Sequence, residues 1–336
     1  MKFMKASQQM NMQAARFHRT GPPEVLQIEE VPTPAPGPGH VLVRVEAAGV
    51  NYADVVRRRG DFYPVPTPLP HISGAEVIGR IEAVGEGVDA AMRGKRVLGG
   101  CDGGAYAEYV SLPARGVYEV PEDIDAADAV ALFVQGLTAA LTLKESGALQ
   151  PGGSVFVEGA AGGVGSLALQ LARLYGAGVV VAGAGSEAKL AFARQLGADA
   201  AVDYMRPGWA AEVRQATGGR GVDVALEMTG GDTLLECLDA LAPGGRMVVF
   251  GAASGTLPAV PVDKLMARGA GVQAFFLGAY LARRPVIEHL LAELFGWLRE
   301  GKLLVHVGGR YPLAKAAEAH RAIESRATTG KLVVLP

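Results

Sequence analysis

The stretch Ser154-Val-Phe-Val-Glu-Gly-Ala-Ala-Gly-Gly-Val-Gly165 decides how the middle of the chain folds. It opens with a short apolar, β-rich run and passes through a glycine-rich turn into a helical repeat of apolar residues: Val164, Leu167, Ala168, Leu171, Ala172 and Tyr175. Strand, turn and helix in this order are the context that a dinucleotide-binding fingerprint requires. The residues predicted to surround the cofactor phosphates are Ala160, Gly162, Gly163, Val164 and Gly165.

The small residues of this turn have separate physical roles. Ala160, Gly162 and Gly165 occupy the three small positions of the fingerprint, with Ala in place of the first Gly. Gly162 lets backbone amides approach a pyrophosphate at the helix N-terminus, where free N–H groups and the helix dipole favour anions. Gly165 permits close contact between helix and strand. The turn therefore predicts a bound dinucleotide.

The end of the next strand distinguishes the two nicotinamide dinucleotides. An NAD-specific site normally has an acidic side chain there, whereas this chain reads Val181-Ala-Gly-Ala-Gly-Ser186. Glu187 is the nearest carboxylate, and its position suits the first turn of the following helix. Small residues leave room for a 2′-phosphate, which Ser186, Lys189 and Tyr204 could bind by hydrogen bonds and charge. NADP(H) is therefore favoured over NAD.

The pattern of elements divides the chain into two kinds of structure. Short β-rich runs separated by Pro and Gly fill residues 13–132, which predicts an all-β lobe. Strand, turn and helix then repeat over 133–275, as in a Rossmann domain with a parallel sheet between helices. The segment 276–336 is expected to return to the first lobe. Residues 1–12 are interpreted as a disordered extension.

The bulk composition excludes several classes of function. The 336 residues carry a net charge of −2, and Arg57-Arg58-Arg59, interpreted as a solvated helix face, is the only basic cluster. Neither nucleic acid nor an anionic membrane is an expected partner. Cys101 and Cys237 are too few for a disulfide framework, and the sequence shows neither an apolar leader nor an 18-residue apolar run. A cytoplasmic protein is expected.

Several motifs resemble one known family over nearly the whole chain. Ala160-Ala-Gly-Gly-Val-Gly165, followed by Gln170 and Arg173, resembles the signature of zeta-crystallin-like quinone oxidoreductases, in the medium-chain dehydrogenase/reductase superfamily. Gly153 and Phe156 depart from that signature, which usually has an acidic or polar residue and Leu there. The other matching segments are 48–54, 74–79, 84–88, 135–139, 250–255 and 324–331.

The resemblance implies a fold and a set of site residues. It implies an α/β protein with a discontinuous GroES-like β-barrel lobe, a doubly wound Rossmann lobe, and NADPH in the cleft. Asn51 and Thr138 match residues that line the nicotinamide and the substrate. Lys189 and Tyr204 match contacts to the 2′-phosphate. Further matches to cofactor contacts are Phe250, Gly251, Ser254 and Arg326.

Zinc is not expected in this chain. The zinc alcohol dehydrogenases of the superfamily place Cys where Asn51 stands and His where Ala75 stands beside Glu76. Catalytic zinc needs three protein ligands, usually including His or Cys, and the structural zinc of such dehydrogenases would need a lobe of four closely spaced cysteines. The two distant cysteines supply neither set. The six histidines show no metal-ligand spacing and are interpreted as mostly loop or surface residues.

Without a Lewis acid, reduction of a conjugated acceptor is favoured over alcohol oxidation. The hypothesis is hydride transfer from NADPH to a quinone or to the β-carbon of an enone, with Asn51 and Thr138 donating hydrogen bonds to the carbonyl oxygen. Tyr52 and Tyr63 could stack on a flat acceptor. An enal, enone or enoyl-thioester reductase and a non-catalytic NADPH-binding protein remain alternatives. A homodimer paired through the apolar run 272–277 is also expected.

Overall fold

The computed structural model describes residues 10–336, which form two compact units. The first unit contains the described residues up to Phe133 together with Gly309–Thr328 and Leu332–Pro336. The second unit contains Val134–Gly308 and Thr329–Lys331. The extension predicted for 1–12 is too long, because Asn11 and Met12 already belong to the first strand; residues 1–9 lie outside the described residues.

The chain up to Phe133 is mostly β-structure, as the Pro- and Gly-punctuated pattern predicts. Its elements are β1 (Asn11–Phe17), β2 (Gln27–Pro32), β3 (His40–Val50), α1 (Tyr52–Arg59), β4 (His71–Ile72), β5 (Glu76–Val84), β6 (Arg96–Gly100), β7 (Tyr109–Pro113), β8 (Val117–Glu119) and α2 (Ala126–Ala131). The turns of this segment lie between strands that pair mainly antiparallel.

The middle of the chain alternates strands and helices. Its elements are α3 (Leu137–Leu141), β9 (Ser154–Val157), α4 (Gly163–Leu174), β10 (Val179–Ala184), α5 (Glu187–Gln195), β11 (Ala200–Asp203), α6 (Trp209–Ala216), β12 (Val222–Glu227), α7 (Gly231–Ala240), β13 (Leu241–Val249), α8 (Val262–Met266), β14 (Gly271–Ala274) and α9 (Arg284–Arg299). The chain ends with β15 (Val307–Pro312), α10 (Ala316–Glu324) and β16 (Lys331–Leu335).

The second unit is built on a six-stranded parallel sheet in the order β11-β10-β9-β12-β13-β14. This is the doubly wound order, whose direction reverses between β9 and β12. Ligands of such sheets bind outside the carboxyl ends of the strands at this reversal. The sheet confirms the predicted Rossmann architecture. The edge strand β14 covers only Gly271–Ala274, and its pairing in a homodimer stays a prediction.

The first unit contains a sheet to which both ends of the chain contribute. Its order is β15-β16-β3-β5-β6-β8, with β7 also paired to β3. β16 runs antiparallel to β3, with Val333 opposite Gly49. A smaller sheet, β2-β1-β4, completes the unit. The return of the chain end to the first lobe is therefore seen in the structure.

The return begins at Gly309, whereas the sequence pattern predicts that it begins at 276. Helix α9 lies in the second unit because its side chains pack there. The Tyr175 hydroxyl after α4 donates to Glu293 Oε2 at 2.9 Å, and the Tyr175 ring meets Trp297 edge-on at 5.5 Å. A helix followed by strand, helix and strand does not reveal in sequence which lobe the first helix covers.

One helical segment, Ala126–Ser146, has the length and apolar character that a membrane-crossing helix requires. Its most apolar window is 83% buried within the protein, as in the core helix of a globular fold.

The core of the second unit depends on Phe156, the residue that departs from the family signature. Its ring is fully buried on β9 and stacks on Trp209 of α6, with 4.9 Å between ring centroids. Phe156→Ala should lower the free energy of unfolding by about 3–5 kcal/mol, because it removes apolar contacts and leaves a cavity. Denaturant unfolding checks this. The control Phe62→Ala, at a side chain that is 84% exposed, should change stability by less than about 0.5 kcal/mol.

Candidate cofactor and active site

The turn after β9 forms an anion-binding cradle at the start of α4. Gly159 adopts φ +59°, a backbone conformation that favours glycine, and its carbonyl accepts the Gly162 N–H at 2.8 Å. The bond from Ser166 N–H to Gly162 O, at 2.9 Å, starts the helix. The amides of 163–165 therefore precede the first helical bond, and such amides together with the helix dipole attract phosphate.

Two glycines of the cradle lie in close approaches, one to backbone and one to a side chain. A Cβ atom on Gly165 would lie 2.3 Å from the Gly159 carbonyl oxygen, so helix and turn touch backbone to backbone. A Cβ atom on Gly163 would lie 2.1 Å from Oε1 of the buried Gln135. Ala160 is buried, and its N–H donates to Gly183 O on β10 at 2.9 Å. Gln135 was not singled out from the sequence.

The end of β10 has no acidic side chain. The strand ends at Ala184, and Ser186 is the exposed residue before α5. Glu187 pairs with Arg194 of the same helix at 2.8 Å, as expected for a residue in its first turn. Lys189 lies on α5. Tyr204 follows β11 and lies against Gly183, where a Cβ atom would be 3.2 Å from its ring.

The loop after β13 docks on the loop after β12. Phe250 N–H donates to Glu227 O at 3.0 Å, and Ser254 N–H donates to Thr229 O at 2.7 Å. Gly251 approaches Met228 O so closely that a Cβ atom would be 2.8 Å away. The predicted cofactor contacts Phe250, Gly251 and Ser254 are thus positioned by 227–229. Sequence reasoning missed this dependence because it arises from pairing between distant segments.

Thr138 lies on α3 and is buried. Its carbonyl oxygen accepts the hydroxyl of Thr142 one helical turn later, at 2.7 Å. This hydrogen bond fixes the Thr142 side chain on the helix backbone. The role of the Thr138 hydroxyl stays a prediction.

In the first unit, Asn51 is held by a buried polar network. Its Nδ2 donates to Glu76 Oε1 at 2.8 Å, and its backbone N–H donates to Asp54 Oδ2 at 2.9 Å. The Tyr106 hydroxyl also donates to Asp54 Oδ2, at 3.2 Å. Burial raises the pKa of Tyr106 well above its ordinary value, so the phenol stays a neutral donor. Asp54 lies in the matching segment 48–54 and Tyr106 lies in no matching segment, and sequence reasoning assigned neither residue a role in the site.

The loop 61–70 is held by an arginine that was interpreted as a solvated charge. Arg57 is 5% exposed; it pairs with Asp102 at 2.5 Å and donates to Thr67 Oγ1 at 2.9 Å. Its guanidinium lies 5.2 Å from the centre of the Tyr63 ring, a cation–π contact. Tyr52 is the first residue of α1 and is partly buried.

The interpretation of the arginine run as a solvated helix face was wrong for two of its three residues. Arg58 is fully buried and pairs with Glu324 of α10 at 2.6 Å, and only Arg59 is exposed. Four of the six histidines are exposed or partly exposed, as predicted, whereas His71 and His320 are buried. Burial lowers the pKa of His320 to about 3 and that of His71 to about 4. Both therefore stay neutral near pH 7.

The predicted site residues fall into both units. Asn51, Tyr52, Tyr63 and Arg326 belong to the first, with Arg326 just after α10 at φ +56°. All the others belong to the second. Within residues 10–336 no three His, Cys, Asp or Glu side chains form a group that could hold a metal ion.

Comparisons with known proteins place the chain in a family. Residues 37–122 match the alcohol dehydrogenase GroES-like domain, and residues 163–294 match the zinc-binding dehydrogenase domain. The probable quinone oxidoreductase of Schizosaccharomyces pombe is 39% identical over 94% of this chain and 95% of its own length. A 2-haloacrylate reductase of Burkholderia is 36% identical over 96% of this chain and 98% of its own.

A solved structure agrees with the sequence relatives. Escherichia coli quinone oxidoreductase complexed with NADPH superposes with a TM-score of 0.91 and 32% identity, covering 96% of this chain and all of that one. The fold and the relatives define a member of the medium-chain dehydrogenase/reductase superfamily. Within it, the chain belongs to the quinone oxidoreductase-like family. It is an oxidoreductase that uses NADPH, which confirms the predicted class and cofactor.

The residues of the second unit fit NADPH. The cradle at 159–165 has a backbone geometry that suits a phosphate, and β10 ends without an acid that would repel a 2′-phosphate. Ser186, Lys189 and Tyr204 are the residues that would surround that phosphate, by position after β10 and β11.

The contact at Gly165 gives a direct test of the cradle. Gly165→Ala should weaken NADPH binding by about tenfold or more, equivalent to about 1.4 kcal/mol, because the new Cβ collides with the Gly159 carbonyl and moves the phosphate turn. A fluorescence titration with NADPH measures the change. Gly296→Ala is the matched control, since that helical glycine has open space at its Cβ position. Equal dissociation constants for the two variants would contradict the cradle.

Proposed function

We propose that this enzyme transfers hydride from NADPH to a quinone or a similar conjugated carbonyl compound and needs no zinc. The observation that carries the proposal is the buried bond from Asn51 Nδ2 to Glu76 Oε1. This bond fixes the Asn51 carboxamide at the position where the zinc alcohol dehydrogenases of the superfamily have a cysteine ligand. The relatives named as quinone oxidoreductases support the choice of acceptor.

NADPH, when bound, supplies the hydride. The chain's own residues orient the acceptor and stabilise the charge that develops on its oxygen. Asn51 is the first candidate donor, because Glu76 sets its amide and Asp54 sets its backbone. Thr138 is the second. Tyr52 and Tyr63 are proposed to contact a flat acceptor, with Tyr63 held by Arg57.

The chemistry of the donor groups supports a reaction without zinc. A neutral carboxamide is not among the usual zinc ligands, which are Cys, His, Asp and Glu. Burial raises the pKa of Cys101 to about 12, so this sulfur is a thiol, and it donates to Gly74 O at 3.6 Å. Zinc binds the thiolate form of cysteine.

A second candidate is reduction of an activated carbon–carbon double bond. The Burkholderia relative is a 2-haloacrylate reductase, and enals, enones and enoyl-thioesters share its conjugated acceptor chemistry. Hydride addition to a β-carbon and hydride addition to a quinone both place negative charge on an oxygen, which the same donors would stabilise. Membership in an enzyme family disfavours a non-catalytic NADPH-binding role.

An acceptor panel separates the two candidates. NADPH oxidation should be rapid with quinones and slower with 2-alkenals, enones, enoyl-thioesters and 2-haloacrylates, and a strong chelator should not change it. Metal analysis of the active protein should find no stoichiometric zinc. Turnover of alkenes with no turnover of any quinone would favour the second candidate. Loss of activity on chelation would overturn the zinc-free mechanism.

Removing the amide at Asn51 tests its role as a donor. Asn51→Ala should lower kcat by about a hundredfold, the usual effect of losing one donor to a developing oxyanion. The NADPH dissociation constant should stay unchanged. Asn11→Ala, at an exposed asparagine of β1, is the control and should leave kcat unchanged. An unchanged kcat in Asn51→Ala would remove Asn51 from the mechanism.

A further inference from the structure

Two buried carboxyl groups meet behind the cofactor cradle and have no part in the chemistry above. Glu158 directly follows β9, and Glu227 is the last residue of β12. These strands are neighbours at the reversal of the sheet, and the Glu158 N–H donates to Leu226 O at 3.1 Å. Their side chains are 1% and 0% exposed. The pair therefore lies at the point where this sheet type binds its ligand.

Both carboxyl groups hold the same loop, residues 228–230, by its backbone. Glu158 Oε2 accepts the N–H groups of Met228 at 2.8 Å and Thr229 at 3.0 Å. Glu227 Oε1 accepts the N–H groups of Thr229 at 3.0 Å and Gly230 at 2.5 Å. Each carboxyl thus uses one oxygen on the loop and keeps the other for a different partner.

The remaining oxygens are Glu158 Oε1 and Glu227 Oε2. Both are buried and have no hydrogen-bond partner, and the two carboxyl groups lie close together because each accepts the same Thr229 N–H through its other oxygen. Two acceptors cannot bond without a proton, and two buried carboxylates repel. One proton between them satisfies both oxygens and leaves a single negative charge, which the loop amides stabilise.

The electrostatic surroundings favour the singly protonated pair. Burial, followed by the charge of Glu158, raises the pKa of Glu227 to about 8. Burial also raises the pKa of Glu158. The titratable group beside the pair is Cys237 of α7, whose buried thiol is neutral because its pKa is raised well above the ordinary value, and Glu236 precedes it on the same helix. Neither supplies a positive charge that would stabilise two carboxylates.

The loop held by the pair touches the cradle. The sulfur of Met228 lies against Gly159, where a Cβ atom would be 3.2 Å away. Thr229 O accepts the Ser254 N–H, and Met228 O accepts the Ala253 N–H at 3.0 Å. A shift of 228–230 would therefore move both the phosphate turn and the segment carrying Ser254.

We propose that Glu158 and Glu227 share one proton and act as positioning residues for NADPH, because this proton keeps loop 228–230 in the conformation that shapes the phosphate cradle. Loss of the proton places two negative charges under a site that binds an anion and drives the carboxyl groups apart. The affinity for NADPH therefore falls as the pH rises and the pair loses its proton. The inference depends on NADPH binding and not on the identity of the acceptor.

The test compares NADPH dissociation constants on both sides of pH 8 in wild type and Glu227→Gln. If only the protonated pair binds, the wild-type constant should rise by about tenfold per pH unit above that pKa. In Glu227→Gln the amide Nε2 donates to Glu158 as the proton would, so the constant should stay flat. A flat wild-type profile, or an unchanged slope in Glu227→Gln, would overturn the proposal.

Two further variants exclude a general effect of charge. Glu236→Gln removes a neighbouring carboxylate and should keep the wild-type pH profile. In the double variant Glu158→Gln/Glu227→Gln, amide N–H₂ groups replace both Glu158 Oε1 and Glu227 Oε2. Two donors then face each other without an acceptor, so this variant should bind NADPH weakly at every pH. Binding by the double variant as tight as by Glu227→Gln would contradict the shared proton.

A spectroscopic readout is independent of NADPH. Infrared difference spectra of the protein alone should show a protonated carboxyl band that disappears as the pH rises through about 8 and is absent in Glu227→Gln. The free energy of unfolding should follow the same titration. Because the pKa of Glu227 is raised in the folded protein, the free energy of unfolding should fall as the pH rises from the ordinary glutamate pKa to about 8, and it should stay constant at higher pH. Absence of the carboxyl band near neutral pH would overturn the proposal.

Discussion

The contact between Gly165 and the Gly159 carbonyl is the constraint on which the cofactor site depends. It lets the first turn of α4 lie directly on the end of β9, so that the helix amides point at one place above the sheet. A methyl group at Gly165 would separate helix and turn, whereas one at Gly163 would displace the end of the Gln135 side chain. The neighbouring strands then bring Tyr204, Ser254 and the loop after β12 around the same edge.

Much of this arrangement could be predicted from sequence because it is local. The repeated order of strand, glycine-rich turn and helix predicted the parallel sheet, and the missing acid after Val181 pointed to NADPH. Boundaries were less accurate where no local signal exists. Helix α9 has an apolar face that could cover either lobe, and only its contacts with Tyr175 show which. Asn11 and Met12 join β1 because Pro32 and Val31 pair with them across the sheet.

Buried polar groups were the least predictable part. Arg58 and His320 have the residue types of a surface, and their burial follows from the meeting of α1 with α10, distant in sequence. The partners of Asn51 come from 54, 76 and 106, three separate segments. A carboxyl group such as Glu227 is read from sequence as a solvated charge. Glu227 is buried beside Glu158 because β9 and β12 are neighbours in the sheet.

The discontinuous first unit has a consequence for how the protein is made. β3 is translated early, yet one of its neighbours in the large sheet is β16, which follows every strand of the parallel sheet along the chain. During synthesis the edge of β3 near Gly49 therefore stays unpaired until β16 is made. By that time every strand of the parallel sheet has already left the ribosome. Folding of the Rossmann unit can precede completion of the other sheet, and a chain truncated before Lys331 would present an open β-edge to its neighbours.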